Sequence, residues 1–262
     1  MDTERKKPIS VWAKQAARVS LQSLNYLLWP AVCNDCGAAV CDADGGLCKN
    51  CWDELSACTA SDYCPRCGRD VSKYAIVQGA CPNCQGWRID FDGIARAGIY
   101  ENVLRRMILA FKDGHTELDS LLGSLADASL VGSSFCDQVE LFVPVPLHWS
   151  RRLIRGYNQS MVIAKKLVHP TAKISADLVR IHRTKPQTSF DDHKTWVAKR
   201  AANVAGAFAV SDGHDFAGRT VCLVDDIKTT GATLNECARI LKESGASKVF
   251  ALVLAVAGQN AG

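Results

Sequence analysis

From residue 94 onward, apolar positions alternate between short runs of strand length and stripes of helical spacing. Ile94–Tyr100 reads as a short strand, and Val103, Leu104, Met107, Ile108 and Phe111 follow at the 3.6-residue period of a helix. A second helix is expected over Leu118–Leu130, a proline-stopped strand over Val139–Pro146, and a third helix over about Gln159–Val168. Ile174–Arg180, Ala207–Val210, Val221–Val224 and Val249–Val256 supply further strand candidates. Between the last two lie Leu234, Cys237, Ala238 and Leu241, a helix stripe with Gly245 placed to cap it. Alternation of this kind predicts an α/β domain with a mainly parallel sheet flanked by helices.

The first 90 residues have a different character. Val11, Trp12, Ala16, Val19, Leu24, Leu27 and Leu28 form one apolar face of an amphipathic helix that Pro30 ends. Lys14, Gln15, Arg18, Gln22 and Asn25 interrupt it too often for a signal peptide or a membrane span. Docking of this helix on the protein's own core, on a membrane or on a partner all remain open. After it the chain is organised by cysteine. Eight of the thirteen cysteines form the pairs Cys33/Cys36, Cys48/Cys51, Cys64/Cys67 and Cys81/Cys84.

Repeated Cys-x-x-Cys pairs point to metal ligation rather than disulfides. Gly37, Gly68 and Gly86, just after three of the pairs, permit the tight turn that aims two sulfurs at one ion. Eight thiolates make two closed Zn2+ sites without an open position for a substrate. The first four and last four cysteines give the simplest pairing, although spacing does not separate this from an interleaved one. Cys41 and Cys58 read as unligated. Reduced thiols imply a cytoplasmic location. The expected organisation is a helical segment 1–32, a double zinc ribbon 33–88 and an α/β domain 89–262, in a chain of 262 residues that is 48% apolar.

Charge separates these regions further. Residues 33–90 hold 5 Lys/Arg against 8 Asp/Glu, whereas residues 151–200 hold 12 against 3. An acidic ribbon is a poor surface for a phosphate backbone and a better one for a protein, so any nucleic-acid contact is expected from the basic stretch.

The sharpest chemical signal is the run from Val221 to Thr233. Four apolar residues form a buried strand, Asp225 and Asp226 stand at its carboxyl end, and Ile227–Lys228–Thr229–Thr230–Gly231–Ala232–Thr233 opens a helix. Ligands of open α/β sheets bind at that edge. Backbone amides from Lys228 to Thr233 can form an anion nest, with hydroxyl donors from Thr229, Thr230 and Thr233. Carboxylates are matched to neutral hydroxyl donors, so Asp225 and Asp226 suit the 2- and 3-hydroxyls of a ribose. The Gly-x-x-x-x-Gly-Lys-Ser/Thr order of a nucleotide-binding P-loop is absent.

This loop resembles the 5-phosphoribosyl 1-diphosphate motif of the type I phosphoribosyltransferases. With Val143–Pro146, Arg155–Gln159, Asn203–Phe208 and the cysteine pairs, the chain is similar to the ComF family of competence proteins from about Leu24 onward. The resemblance implies that the turn after Pro146 receives the diphosphate, with Arg151, Arg152 and Arg155 as contacts. Arginine's planar, permanently charged fork suits such oxygens. It also implies a lid over residues 181–197 that brings Lys185 to the diphosphate, and Mg2+ carried with the substrate. Catalytic roles are implied for Asp225, Asp226 and Lys185. Two functions stay open: phosphoribosyl transfer to an unidentified nitrogen acceptor, or non-catalytic binding of single-stranded DNA or DNA-uptake proteins during natural transformation. The isolated His148, His169, His182 and His214 read as surface or capping residues.

Overall fold

The computed structural model describes residues 31–40, 46–182, 202–213 and 216–257. The N-terminal helix, Cys41 and the segment containing Lys185 lie outside the described residues. The chain divides into two compact units, Met1–Asp53 and Glu54–Gly262.

In the first unit, Val32 and Ala39 make an antiparallel bridge across a tight turn. The Gly37 amide donates to the Cys33 carbonyl at 2.9 Å, and the Cys33 amide to the Ala38 carbonyl at 2.8 Å. Gly37 takes φ +75°, a left-handed conformation that a side chain would strain. The second cysteine pair of this unit opens helix α1 (Lys49–Thr59).

The second unit begins with the same turn repeated. Gly68 donates to the Cys64 carbonyl at 2.7 Å, Cys64 donates to the Arg69 carbonyl at 2.9 Å, and Tyr63 bridges Asp70. Beyond it lie β1 (Gly93–Ile99), α2 (Asn102–Lys112), α3 (Asp119–Val131), β2 (Leu141–Pro144), α4 (Trp149–Arg155), α5 (Gln159–Lys166) and β3 (Lys173–Ile174). Then come β4 (Leu178–Arg180), β5 (Phe208–Val210), β6 (Thr220–Lys228), α6 (Ala232–Glu243) and β7 (Lys248–Val256). Five strands form one parallel sheet in the order β1-β7-β6-β2-β3, so all their carboxyl ends lie along one edge. β7, an interior strand between β1 and β6, is buried along nearly its whole length, as parallel strands covered on both faces must be.

The mainly parallel α/β architecture agrees with the alternation in the sequence. Each helix stripe lands on the core: Val103, Leu104, Met107, Ile108 and Phe111 of α2 are all buried, as are Leu234, Cys237, Ala238 and Leu241 of α6. Gly245, at φ +94°, ends α6, and the Ala246 amide reaches back to the Leu241 carbonyl at 3.0 Å in a Schellman cap.

Three local expectations differ. The strand expected over Ile174–Arg180 is two strands in different sheets, β3 beside β2 and β4 antiparallel to β5. The Ser175 hydroxyl donates to Asp177 at 2.5 Å, a side-chain turn that competes with the ladder and breaks the run. The strand expected over Val221–Val224 continues to Lys228, because β7 offers backbone partners as far as Val256. Residues 149–155, read only as an arginine-bearing turn, form the short helix α4.

Candidate functional site

The acid pair sits near the carboxyl end of β6, in register with β7 at Asp225↔Val253. Its two members have different partners. Asp225 Oδ1 accepts from the Ser160 hydroxyl at 3.1 Å and from the Asp226 amide at 2.9 Å. Asp226 Oδ2 lies 3.0 Å from Lys112 Nζ, the last residue of α2. Burial, and then the neighbouring Asp226 charge, push the Asp225 carboxyl up to about 7.

Three residues beyond the strand turn the chain into α6. Gly231 serves as its N-cap at φ +84°, and an added Cβ there would lie 3.0 Å from Lys228 Cε. Both features favour glycine there. Thr229, Thr230, Ala232 and Thr233 are half-buried around this turn, and the Ala232 amide donates to Thr230 Oγ1 at 3.3 Å. A helix start leaves its first amides without acceptors in the preceding turn, which favours an anion there. Lys228 itself is buried, with its stem beneath Gly231. Burial lowers its ammonium to about 8, against an opposing pull from Cys67.

A second segment closes on the same strand ends. The Val145 amide donates to the Val224 carbonyl at 2.9 Å, continuing β2 alongside β6. Asn158 caps α5 by accepting from the Ser160 amide at 3.1 Å, while its Nδ2 donates to the Val145 carbonyl at 3.1 Å. Asn158 therefore aims Ser160 at Asp225. The Tyr157 hydroxyl donates to the Phe111 carbonyl, and the two rings lie 5.6 Å apart. Arg155 Nη1 donates to Gln159 Oε1 at 3.4 Å. Arg152 is exposed on α4. The Arg151 side chain and Lys185 lie outside the description.

Lys112, Ser160 and Tyr157 were not singled out individually in the sequence. Lys112 follows an apolar stripe and looks like an ordinary helix-end cation. Tyr157 and Ser160 flank Asn158, and the Asn-x-Ser capping pattern there was the available signal. His148 is buried against Trp149 rather than at the surface, whereas His169 does cap, its Nδ1 accepting from the Ala172 amide at 2.9 Å.

The cysteines gather as two separate clusters, Cys33/Cys36/Cys48/Cys51 and Cys64/Cys67/Cys81/Cys84, with all sulfurs of a cluster within 4.8 Å of one another. The pairing is sequential, not interleaved. Four thiolates about 2.3 Å from one Zn2+ stand about 3.8 Å apart along the edges of a tetrahedron. Cys36–Cys48 is 3.6 Å, Cys64–Cys84 3.8 Å and Cys67–Cys81 3.7 Å, so both sets fit the ion. Cys58 is buried near the Glu101 carbonyl and belongs to neither.

Comparison with known proteins shows what the two cysteine clusters and the sheet domain are similar to. A double zinc ribbon model matches residues 24–85, and a phosphoribosyl transferase domain model matches residues 155–262. Competence protein F of Haemophilus influenzae is 28% identical over 83% of this chain and 93% of its own length. Along most of its length the chain is thus similar to competence proteins. Two other relatives show how broadly the match extends. Competence protein ComFC of Bacillus subtilis is 27% identical over 77% of this chain and 80% of its own. DNA utilization protein YhgH of Escherichia coli is 26% identical over 84% and 94%. The cysteine clusters fall within the double zinc ribbon match and precede the phosphoribosyl transferase domain match. Among the described residues, no helix is long and apolar enough to cross a membrane.

Proposed function

We propose that this protein is a member of the ComF family that binds 5-phosphoribosyl 1-diphosphate with Mg2+ at the edge formed by β6 and α6, in the cytoplasm, and serves DNA uptake. The supporting observation is the anchored acid pair beside a glycine-opened helix start: Asp225 held by Ser160, Asp226 by Lys112, and Gly231 turning the chain between them and α6. The amides and hydroxyls of Thr229 to Thr233 take the 5-phosphate, and the acids accept from the ribose hydroxyls. Arg152 and Arg155, with Arg151 and Lys185, serve the diphosphate. Two Zn2+ ions hold the cysteine clusters as structural centres.

Mg2+ supplies neutralisation of the leaving diphosphate, whose own oxygens carry most of its coordination. In a transfer reaction a nitrogen nucleophile forms a bond to ribose C1 as the C1–O bond breaks. The diphosphate leaves with the electron pair, and the nitrogen gives up a proton to solvent. The protein contributes positioning and charge.

A second reading rests on α4, where Trp149, Leu153 and Ile154 are 66%, 75% and 85% exposed beside Arg152. Such a basic, aromatic surface suits single-stranded DNA without turnover. Calorimetric titration separates the two. Sugar-diphosphate binding that is lost in Asp225→Ala/Asp226→Ala sustains the first reading. DNA binding without sugar-diphosphate binding replaces it with the second.

The raised Asp225 carboxyl adds a pH signature. In the unfolded chain this group ionises near 3.8, and in the folded protein near 7. The folded state therefore holds more protons between these values, and its stability falls as pH rises through that window. Asp225→Asn keeps both accepted hydrogen bonds and is expected to raise the melting temperature of the empty protein at pH 8. It should also weaken sugar-diphosphate binding. Unchanged melting together with unchanged affinity would reject the role of Asp225.

A further inference from the structure

We infer that Lys112 is a positioning and specificity residue of the sugar site, the fixed counter-ion that makes the twin acids a receptor for two neighbouring hydroxyls. The inference rests on the sugar-phosphate reading above and extends it to a residue on a different element.

Two carboxylates on consecutive residues repel each other, and partial burial strengthens the repulsion. Lys112 places its ammonium 3.0 Å from Asp226, with only 17% and 14% of the two side chains exposed. This is unlike a surface lysine on a free stem. The buried stripe of α2 fixes the rotation of the helix, and the preceding residue, Phe111, is fully buried. The Phe111 carbonyl accepts from the Tyr157 hydroxyl, on the segment that also sends Ser160 to Asp225. The helix end carrying Lys112 and the turn carrying Ser160 are thus fastened together, and each delivers one group to one acid.

The charges follow from this arrangement. Lys112 lies against Asp226, while Asp225 is held by a neutral hydroxyl and an amide. An ammonium carries three donors, so beside Asp226 Lys112 can also donate to the oxygen of a hydroxyl whose hydrogen Asp226 accepts. Such a hydroxyl is read as both donor and acceptor. A sugar lacking it leaves part of the donor and acceptor capacity of this ion pair unmet in the occupied site, which is a basis for rejecting an analogue. Lys112 therefore favours ribose over 2-deoxyribose.

The test is calorimetric titration of the full chain with ribose 5-phosphate and with 2-deoxyribose 5-phosphate. It is run on the native protein and on Lys112→Met, Lys112→Gln and Lys112→Arg, each checked by its melting transition. The native protein should prefer ribose 5-phosphate. Lys112→Met should lose about ten- to hundredfold in affinity for it, the loss expected for a charged hydrogen bond, with far less change for the deoxy sugar. Lys112→Gln, which retains donors without charge, serves if Lys112→Met does not fold, and is expected to narrow the preference in the same direction. Lys112→Arg should restore part of it. Equal loss for both sugars, or no loss for either, overturns the role of Lys112. If the native protein binds neither sugar phosphate, the sugar-phosphate reading itself fails, and that result is distinguishable from the others.

Discussion

The two cysteine clusters have the same ligands and the same knuckle turn, yet their surroundings differ. In Cys33/Cys36/Cys48/Cys51, Cys36 is exposed and Cys48 half-buried, and Asp35 Oδ2 accepts from the Cys51 thiol at 3.2 Å. In Cys64/Cys67/Cys81/Cys84 all four are buried, in an apolar cluster with Ala80 against which Val71 and Ile89 pack. Ile89 also packs on the main core of the α/β unit. The Pro65 carbonyl accepts from the Ile94 amide at 2.8 Å, covering the edge of β1, and a Cβ on Gly68 would lie 3.0 Å from Val256. Identical metal chemistry thus serves two purposes. The first cluster organises a small local turn, whereas the second is part of the wall of the sheet domain, beside the strand end that carries Lys228.

The largest effect should come from breaking the second cluster. Cys67→Ser removes one thiolate from a closed site whose metal contributes folding energy directly. A loss of roughly 3–5 kcal/mol, at the large end for a single substitution, corresponds to roughly 6–20 °C in a unit of this size. Calorimetry should show a lowered transition for the strand-bearing unit, with sugar-phosphate binding weakened alongside it. A melting temperature within about 2 °C of the native value would show that the second cluster is an accessory rather than part of the wall.

This distinction was not legible in the sequence. The four pairs announce two zinc sites because ligand chemistry is local, and a Cys-x-x-Cys knuckle is complete within five residues. The sheet strands and helices were equally legible, since apolar period is local too. The bond of Pro65 to Ile94 of β1 and the union of Lys112 with Asp226 join residues 29 and 114 positions apart, which no spacing rule encodes. The acid pair stood out because strand, carboxylates and glycine turn are consecutive. Its counter-ion comes from another helix and looks like any helix-end lysine. The break at Ser175 was missed because Ile174 and Leu178 flank it with an apolar pattern that one strand would also produce.

A medium effect should follow from the buried cation joining the second knuckle to the sheet. Arg96, in the middle of β1, is 4% exposed. It donates to the Ser61 hydroxyl at 2.8 Å, pairs with Asp70 and lies 4.9 Å from the Tyr63 ring. Asp70→Ala strands that guanidinium inside the protein, at a cost of roughly 2–4 kcal/mol, set toward the lower end by the 44% exposure of Asp70. Arg96→Met removes the charge and keeps the stem, so it should cost less than Asp70→Ala despite changing the more buried partner. Denaturant titration of both variants checks the order. The reverse order would mean that Arg96 acts through packing and not as a charge matched by the knuckle.

The smallest effect on stability, and the most direct reading of the difference, should come from the first cluster. Cys36 is its exposed corner, so a colorimetric chelator has a path to a metal bound there that it lacks at the fully buried second site. Metal release is limited by access and by local opening, and an exposed turn opens at far lower free energy than a packed core. The native protein should therefore release zinc in two steps. One equivalent should leave quickly under native conditions, and the second only when the strand-bearing unit unfolds. Cys36→Ser should abolish the fast step, leave the slow one unchanged, and move the main melting transition by no more than about 1–2 °C, the scale of a substitution outside the core. Release of both equivalents at one rate would mean that burial of the second four sulfurs does not protect their metal, and the separation into a local and an integral centre would be wrong.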